Sequence, residues 1–236
     1  MKLIRPGLQW YVDKIKDNDP FTFIRYGDGE WSAIINDGRA MTGSRSHKLT
    51  IPAMQEQLRQ SLLEKPVSDR YIIALRETAL NAQISNWITN SKVKGWHDCT
   101  VFYKASRRGQ LFPLLDAIRQ SDFELVVIGP PNLSKLQAAT GLPVKQFIPI
   151  PKRNCFGVIT EKIKMVLEQK EKPMIISISA GPPGKLIAWR LFKHIGNNSF
   201  IIDFGSLWDV YSGSPSRKYQ RNMKKETITK NLGAVK

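Results

Sequence analysis

Seven short apolar runs, separated by six stretches with helical spacing, constrain this chain more than any other feature. The runs are Phe21–Arg25, Tyr71–Leu75, Thr100–Tyr103, Leu125–Gly129, Gln146–Ile150, Met174–Ser179 and Phe200–Asp203. The helical patterns are Ile51–Glu64, Thr78–Thr89, Gly109–Gln120, Leu133–Thr140, Phe156–Gln169 and Lys185–His194. Strands separated by such helices make βαβ units, so the expected fold is α/β: a Rossmann-like, mostly parallel sheet of about seven strands flanked by helices. A chain of 236 residues with 42% hydrophobic content fills one such core. Residues 1–213 read as a single domain, and residues 214–236 as a basic C-terminal tail. Met1–Pro20 carries scattered charges, and no apolar run anywhere approaches the roughly 18 residues of a membrane span, so a soluble, cytoplasmic protein is expected. Cys99 and Cys155 stand far apart, without metal-ligand spacing, and read as reduced thiols.

In a parallel sheet ligands bind beyond the carboxyl ends of the strands, so the residues there carry the chemistry. Phe23–Trp31 reads F-I-R-Y-G-D-G-E-W: a strand end entering a glycine turn with Asp28 and Glu30, and Arg25 just before them. Gly27 and Gly29 allow a tight turn that aims both carboxylates at one point. Paired hard oxygens suit Mg²⁺ or Mn²⁺, whose shells are completed by water and substrate phosphates. A plainer role is available too, with Glu30 in the first turn of the next helix, capping it. A dinucleotide fingerprint fits poorly, because Ser32 stands where the third glycine belongs.

Other strand ends are similarly marked. Val126–Pro131 closes in a glycine turn, and Phe147–Asn154 ends in basic residues. Ile175–Lys185 runs through S-A-G-P-P-G-K into a helix whose first amides suit an anion. It is no P-loop, since Ser179 replaces the first glycine and Leu186 follows the lysine. Ile201–Tyr211 places Asp203 and Asp209 around a further glycine. The polar, glycine-containing loop Asp37–Thr50, with His47, is a candidate cover for a site.

The charge is +16, with a sequence pI near 9.9, which favours polyanionic partners. From Ser214 to Lys236 seven bases face one acid, Glu226, and this segment alone reads as a solvated tail.

Together these residues carry a resemblance. R-Y-G-D-G-E at Arg25–Glu30, I-P-I-P-K-R-N at Ile148–Asn154, S-A-G-P-P-G-K-L-I-A-W-R-L at Ser179–Leu191 and I-D-F-G-S at Ile202–Ser206 resemble, in the same order, the GT-D class of glycosyltransferases. The likeness spans roughly Phe21 to Tyr211, with the first motif the most specific; Pro182-Pro183 departs from the family's loop and leaves sugar and acceptor open. The resemblance implies a metal-dependent transferase using a nucleotide-sugar donor, a UDP-sugar being expected, with Asp28 and Glu30 holding Mn²⁺ or Mg²⁺. Arg25 or Lys185 and the backbone at Gly27, Gly29, Gly181 and Gly184 would meet the diphosphate. For the general base Asp209 comes first, then Asp203, with Glu77 and His47 behind. The basic excess points to a polyanionic acceptor, DNA with a hydroxylated base among the candidates, on which Trp208 and Tyr211 could stack. A cell-surface polysaccharide or protein-linked glycan is the alternative acceptor. A nucleotide-dependent hydrolase and a non-catalytic nucleic-acid-binding protein are the other classes left open.

Overall fold

The apolar runs assemble into one sheet of eight parallel strands in the order β1-β4-β3-β2-β8-β7-β5-β6. The computed structural model describes residues 2–35, 51–63, 68–76 and 95–233. The strands are β1 Lys2–Ile4, β2 Thr22–Tyr26, β3 Tyr71–Leu75, β4 Gly95–Asp98, β5 Glu124–Gly129, β6 Val144–Pro149, β7 Met174–Ile178 and β8 Phe200–Asp203. The helices among the described residues are α1 Leu8–Lys16, α2 Asp28–Ile35, α3 Pro52–Leu63, α4 Val101–Arg107, α5 Phe112–Gln120, α6 Leu136–Thr140, α7 Ile159–Leu167, α8 Pro183–Ile195, α9 Lys218–Arg221 and α10 Lys225–Leu232.

Six of the seven expected strands are present. Thr100–Tyr103 is not a strand; it opens α4. The Asp98 carboxylate accepts hydrogen bonds from the Thr100 amide at 2.9 Å and hydroxyl at 2.6 Å, and this local turn ends the extended chain before the β-favouring Val-Phe-Tyr begins. The strand lies just upstream, where Ala74↔His97 and Leu75↔Asp98 pair β3 with β4. The eighth strand, β1, adds an edge to β4. Thr78–Thr89 lies outside the described residues.

Successive strand residues bury on opposite faces. Ile24, Ile73, Ile128 and Ile176 belong to one core layer; Phe23, Ile72, Val127 and Ile175 belong to the other. Both faces are thus closed to water, and the strand ends are where ligands meet the sheet. The chain leaves β2 for β3 on one side and reaches β8 from β7 on the other. The crevice between β2 and β8 is therefore a topological switch point, with the end of β7 beside it.

The basic C-terminal segment folds onto this body. α10 packs against α4 and α5, burying Asn231 completely.

Candidate functional site at the β2–β8 crevice

β2 ends at Tyr26, and α2 starts at once with Asp28, so the expected glycine turn is the first turn of a helix. The Gly27 N–H donates to Glu30 Oε2 at 2.8 Å, and the Trp31 N–H reaches the Gly27 carbonyl at 3.2 Å. Glu30 therefore caps its own helix from the third position, the plainer of its two readings. Its other oxygen does something more: Oε1 lies 2.8 Å from the Lys185 ammonium, and the residue is only 7% exposed. Asp28 and Gly29 open the helix; the Asp28 side chain is outside the described residues.

Lys185 arrives from the far side, on the first turn of α8. Gly181 takes the left-handed conformation (φ 59°) that turns the chain from β7 into the helix. Its carbonyl accepts the Gly184 amide at 3.0 Å and the Lys185 ammonium at 3.1 Å. This corrects the expectation for Gly184, whose amide is already bonded. What glycine gives there is close packing, since an added Cβ would press on Ile178 Cγ2 at 3.1 Å.

β8 supplies the third side. Asp203 is fully buried; its Oδ2 lies 3.0 Å from Lys185 Nζ and 3.6 Å from Arg25 Nε, and its Oδ1 accepts the Gly205 N–H at 3.0 Å. Gly205 is left-handed (φ 55°), and a Cβ there would fall inside the Arg25 guanidinium. The I-D-F-G-S segment is thus shaped around Arg25, on the strand beside it.

Arg25, Lys185, Glu30 and Asp203 form a compact group of two cations and two carboxylates. Burial opposes the charges of Asp203, Lys185 and Arg25, and mutual attraction prevails. The Asp203 carboxyl, which burial alone would raise, is held below its ordinary range by Lys185 and Arg25. Lys185 and Arg25 are both lifted above theirs, chiefly by Asp203, against the cost of burial. Asp203 is therefore a poor proton acceptor, which corrects its expected place as a candidate base. Lys185 has three protons and three oxygens within reach, and is spent within the protein. Arg25 is different: its side chain is 24% exposed, and among the described residues it donates no hydrogen bond.

Asp209 sits further along the same loop, in the 3-10 turn Leu207–Asp209, 9% exposed. Burial raises its pKa, while hydrogen bonds from the Ser216 and Asn132 side chains and the charges of Arg217 and Lys152 pull it back. A carboxyl raised toward neutrality suits proton abstraction better than one held ionised. Asn132 and Lys152 come from the ends of β5 and β6, and Ser216 and Arg217 from the C-terminal segment.

Trp208 and Tyr211 turn inward. Trp208 donates to Ser177 Oγ at 2.8 Å, and the Tyr211 hydroxyl meets Ser106 Oγ at 2.7 Å, so neither is a stacking platform. The aromatic residue that does border the site is Tyr219, whose hydroxyl bonds Ser206 and whose neighbour Gln220 donates to the Ser206 carbonyl. Nothing local in the basic tail marks these two. His47, Glu77 and the loop around His47 lie outside the described residues.

A cation site was expected at Asp28 and Glu30. Among the described residues no three His, Cys, Asp or Glu side chains converge in a metal-binding group. Glu30 has both oxygens engaged, and a second positive charge would stand beside Lys185. A Mg²⁺-type ion needs only one or two carboxylates before water and phosphates complete its shell, and with Glu30 engaged the carboxylate left for it is that of Asp28, whose side chain lies outside the described residues.

No protein-family profile matches the sequence, and no curated protein matches it. Two solved structures share the fold. One, described as showing that the highly conserved domain of unknown function 1792 has a distinct glycosyltransferase fold, superposes with a TM-score of 0.60 at 15% identity, covering 91% of this chain and 83% of that one. The other, a selenomethionine-substituted structure of domain of unknown function 1792, gives 0.62 at 16% identity with the same coverage. The chain thus has the α/β, glycosyltransferase-like fold that its sequence resemblance implies.

Proposed function

We propose that this protein is a glycosyltransferase that moves a sugar from a nucleoside-diphosphate sugar, with a UDP-sugar the expected donor, to a hydroxyl of a polyanionic acceptor. The observation that carries this reading is the ionic group at the switch-point crevice. It holds Arg25 positive through Asp203, 3.6 Å from Nε, and leaves the guanidinium side chain partly exposed where a diphosphate would lie. Fold neighbours of a glycosyltransferase type support the same class.

In the reaction the bond from the anomeric carbon to the diphosphate breaks, and its electron pair leaves with phosphate. Charge then grows on the leaving group, and Arg25 neutralises it. Lys185 acts one step back, fixing Glu30 and Asp203 so that Arg25 is held in place. A divalent ion on Asp28 would add charge stabilisation at the diphosphate. The acceptor hydroxyl oxygen forms the new bond to the anomeric carbon, and its proton passes to the Asp209 carboxylate. DNA carrying a hydroxylated base is the favoured acceptor and a surface or protein-linked glycan the alternative.

Incubation with Mn²⁺ and a panel of nucleotide sugars, followed by mass spectrometry of the released nucleotide, tests this. The transferase reading expects nucleoside diphosphate release from one donor class, accelerated by acceptor and lost in Arg25→Met. Release that ignores acceptor makes the protein a hydrolase; no release from any sugar nucleotide overturns the reading.

A further inference from the structure

Beside the crevice, a hollow of about 560 Å³ opens between α4 and the C-terminal helices. Arg107, Lys218 and Lys224 border it together with Tyr219 and Met223. Arg107 also borders a second hollow of about 280 Å³, beside Tyr103, Lys104 and Arg108. No acidic side chain among the described residues lines either one. Lys104 is paired with Asp98 at 2.7 Å, so its charge is partly spent, whereas Lys218 and Lys224 are exposed. The two hollows meet at Tyr103 and Tyr219, whose rings stand edge to face at 4.8 Å.

The hollow is tied to the proposed reaction site by one side chain. Tyr219 lines it, and the Tyr219 hydroxyl bonds Ser206, the neighbour of the glycine packed on Arg25. A ligand on Tyr219 therefore lies next to the crevice.

Cations around a half-buried aromatic ring suit a chain that offers phosphates and flat rings together. An acidic peptide would satisfy the cations and leave the rings idle. We propose that this hollow binds a single-stranded segment of nucleic acid, with phosphates on Arg107, Lys218 and Lys224 and a base against Tyr219. Resting on the transferase reading, it is the acceptor subsite; the binding itself stands apart from that reading.

The test is fluorescence anisotropy with a labelled single-stranded oligonucleotide of roughly 12 nucleotides, titrated from roughly 50 to 200 mM NaCl. The wild-type protein should bind with affinity that falls steeply with salt. The triple variant Arg107→Gln, Lys218→Gln, Lys224→Gln should lose about tenfold or more at the lowest salt, and its log–log salt slope should shrink by about 2. A control variant with Lys145→Gln, Lys164→Gln and Lys170→Gln removes the same charge from exposed positions elsewhere and should bind nearly as the wild type does. Equal losses in the two variants would mean that net charge alone binds DNA and would overturn the proposal. So would tighter binding of polyglutamate than of the oligonucleotide, which would assign the hollow to an acidic protein. Thermal unfolding checks that both variants are folded. Nucleoside diphosphate binding, measured by calorimetry, should survive the triple change and fail in Arg25→Met, so loss of the hollow and loss of the donor site give different results.

Discussion

Lys185 shows how a single buried cation can tie three segments of a candidate site together. Its ammonium has Glu30 Oε1, Asp203 Oδ2 and the Gly181 carbonyl at 2.8, 3.0 and 3.1 Å, and it is 2% exposed. Removing one partner of a buried ionic group strands the others, so Lys185→Met should lower stability by about 3–5 kcal/mol at neutral pH. The pH dependence has a definite sign. Asp203 is depressed in the folded state, so its contribution is present above its unfolded pKa, near 3.9, and is lost as pH falls through the lower folded value. Lys185 is raised, so its contribution is present below about 10.4 and is lost as pH rises through the higher folded value. The gap between wild type and variant, measured by urea unfolding, should therefore be widest between about pH 5 and 9 and narrow below about pH 4. A gap that stays constant from neutral pH down to strong acid would refute the ionic account. Asp28 and Glu30, which look equivalent in the sequence, should separate here. Asp28→Asn should lower kcat/KM about a hundredfold or more with little change in melting temperature. Glu30→Gln should also cost about 1–3 kcal/mol, because it weakens the Lys185 pair while touching the α2 cap. Equal melting temperatures for the two variants would mean that the Glu30–Lys185 contact carries no stability. The sequence showed that these strand ends carry charge. It did not show that Glu30 and Asp203 share one lysine, since residues 30, 185 and 203 meet only through the sheet order.

At the scale of elements, the strands were legible and the C-terminal segment was not. β3 and β8 match their apolar runs residue for residue, because a strand buried on both faces has little choice of composition. α1 is faint in the sequence although Leu8, Tyr11, Val12 and Ile15 follow helical spacing, because charged residues stand between and around them. The packing of the C-terminal segment is hidden in the sequence for a physical reason: its main anchor, Asn231, is polar and its partners are mostly distant. Asn231 Nδ2 donates to the Ser106 carbonyl at 2.7 Å and to the Tyr211 hydroxyl at 2.9 Å, while its Oδ1 accepts the Leu111 amide at 2.9 Å. Gln220 adds a shorter link: its Nε2 donates to the Ser206 carbonyl, while its Oε1 accepts the nearby Ser216 and Arg217 amides at 2.9 Å each. No local pattern announces a bond across more than a hundred residues. Asn231→Leu should leave a buried amide and a buried carbonyl unsatisfied and destabilise the protein by about 2–4 kcal/mol. That corresponds to roughly 4–16 °C in melting temperature for a chain of this size. A melting temperature within a degree of wild type would show that α10 is only loosely docked. Deleting the tail would confound charge with structure, which is why point changes on exposed bases are the proper probe of nucleic-acid binding.

For the whole molecule, the sheet order brings distant segments to one crevice, so that any ligand held there would be coupled to folding. β2 and β8 are neighbours in space, yet they lie near opposite ends of the chain and turn away from each other in topology. Only the folded sheet juxtaposes Arg25 with Asp203, so an anion held there binds the native state and not the unfolded chain. A ligand of that kind stabilises by mass action, about 2.7 kcal/mol at a hundred times its Kd. Nucleoside diphosphate at that excess should accordingly raise the melting temperature by roughly 5–11 °C. Chelation of divalent ions should shrink the rise if Asp28 helps hold the diphosphate, and Arg25→Met should abolish it. Asn231→Leu should shift the whole curve down yet keep the rise, because its bonds lie outside the crevice. Differential scanning fluorimetry across a nucleotide series reads all three. A ligand-induced rise that survives Arg25→Met undiminished would place the diphosphate away from the β2–β8 switch point and remove the ionic group from the transfer mechanism.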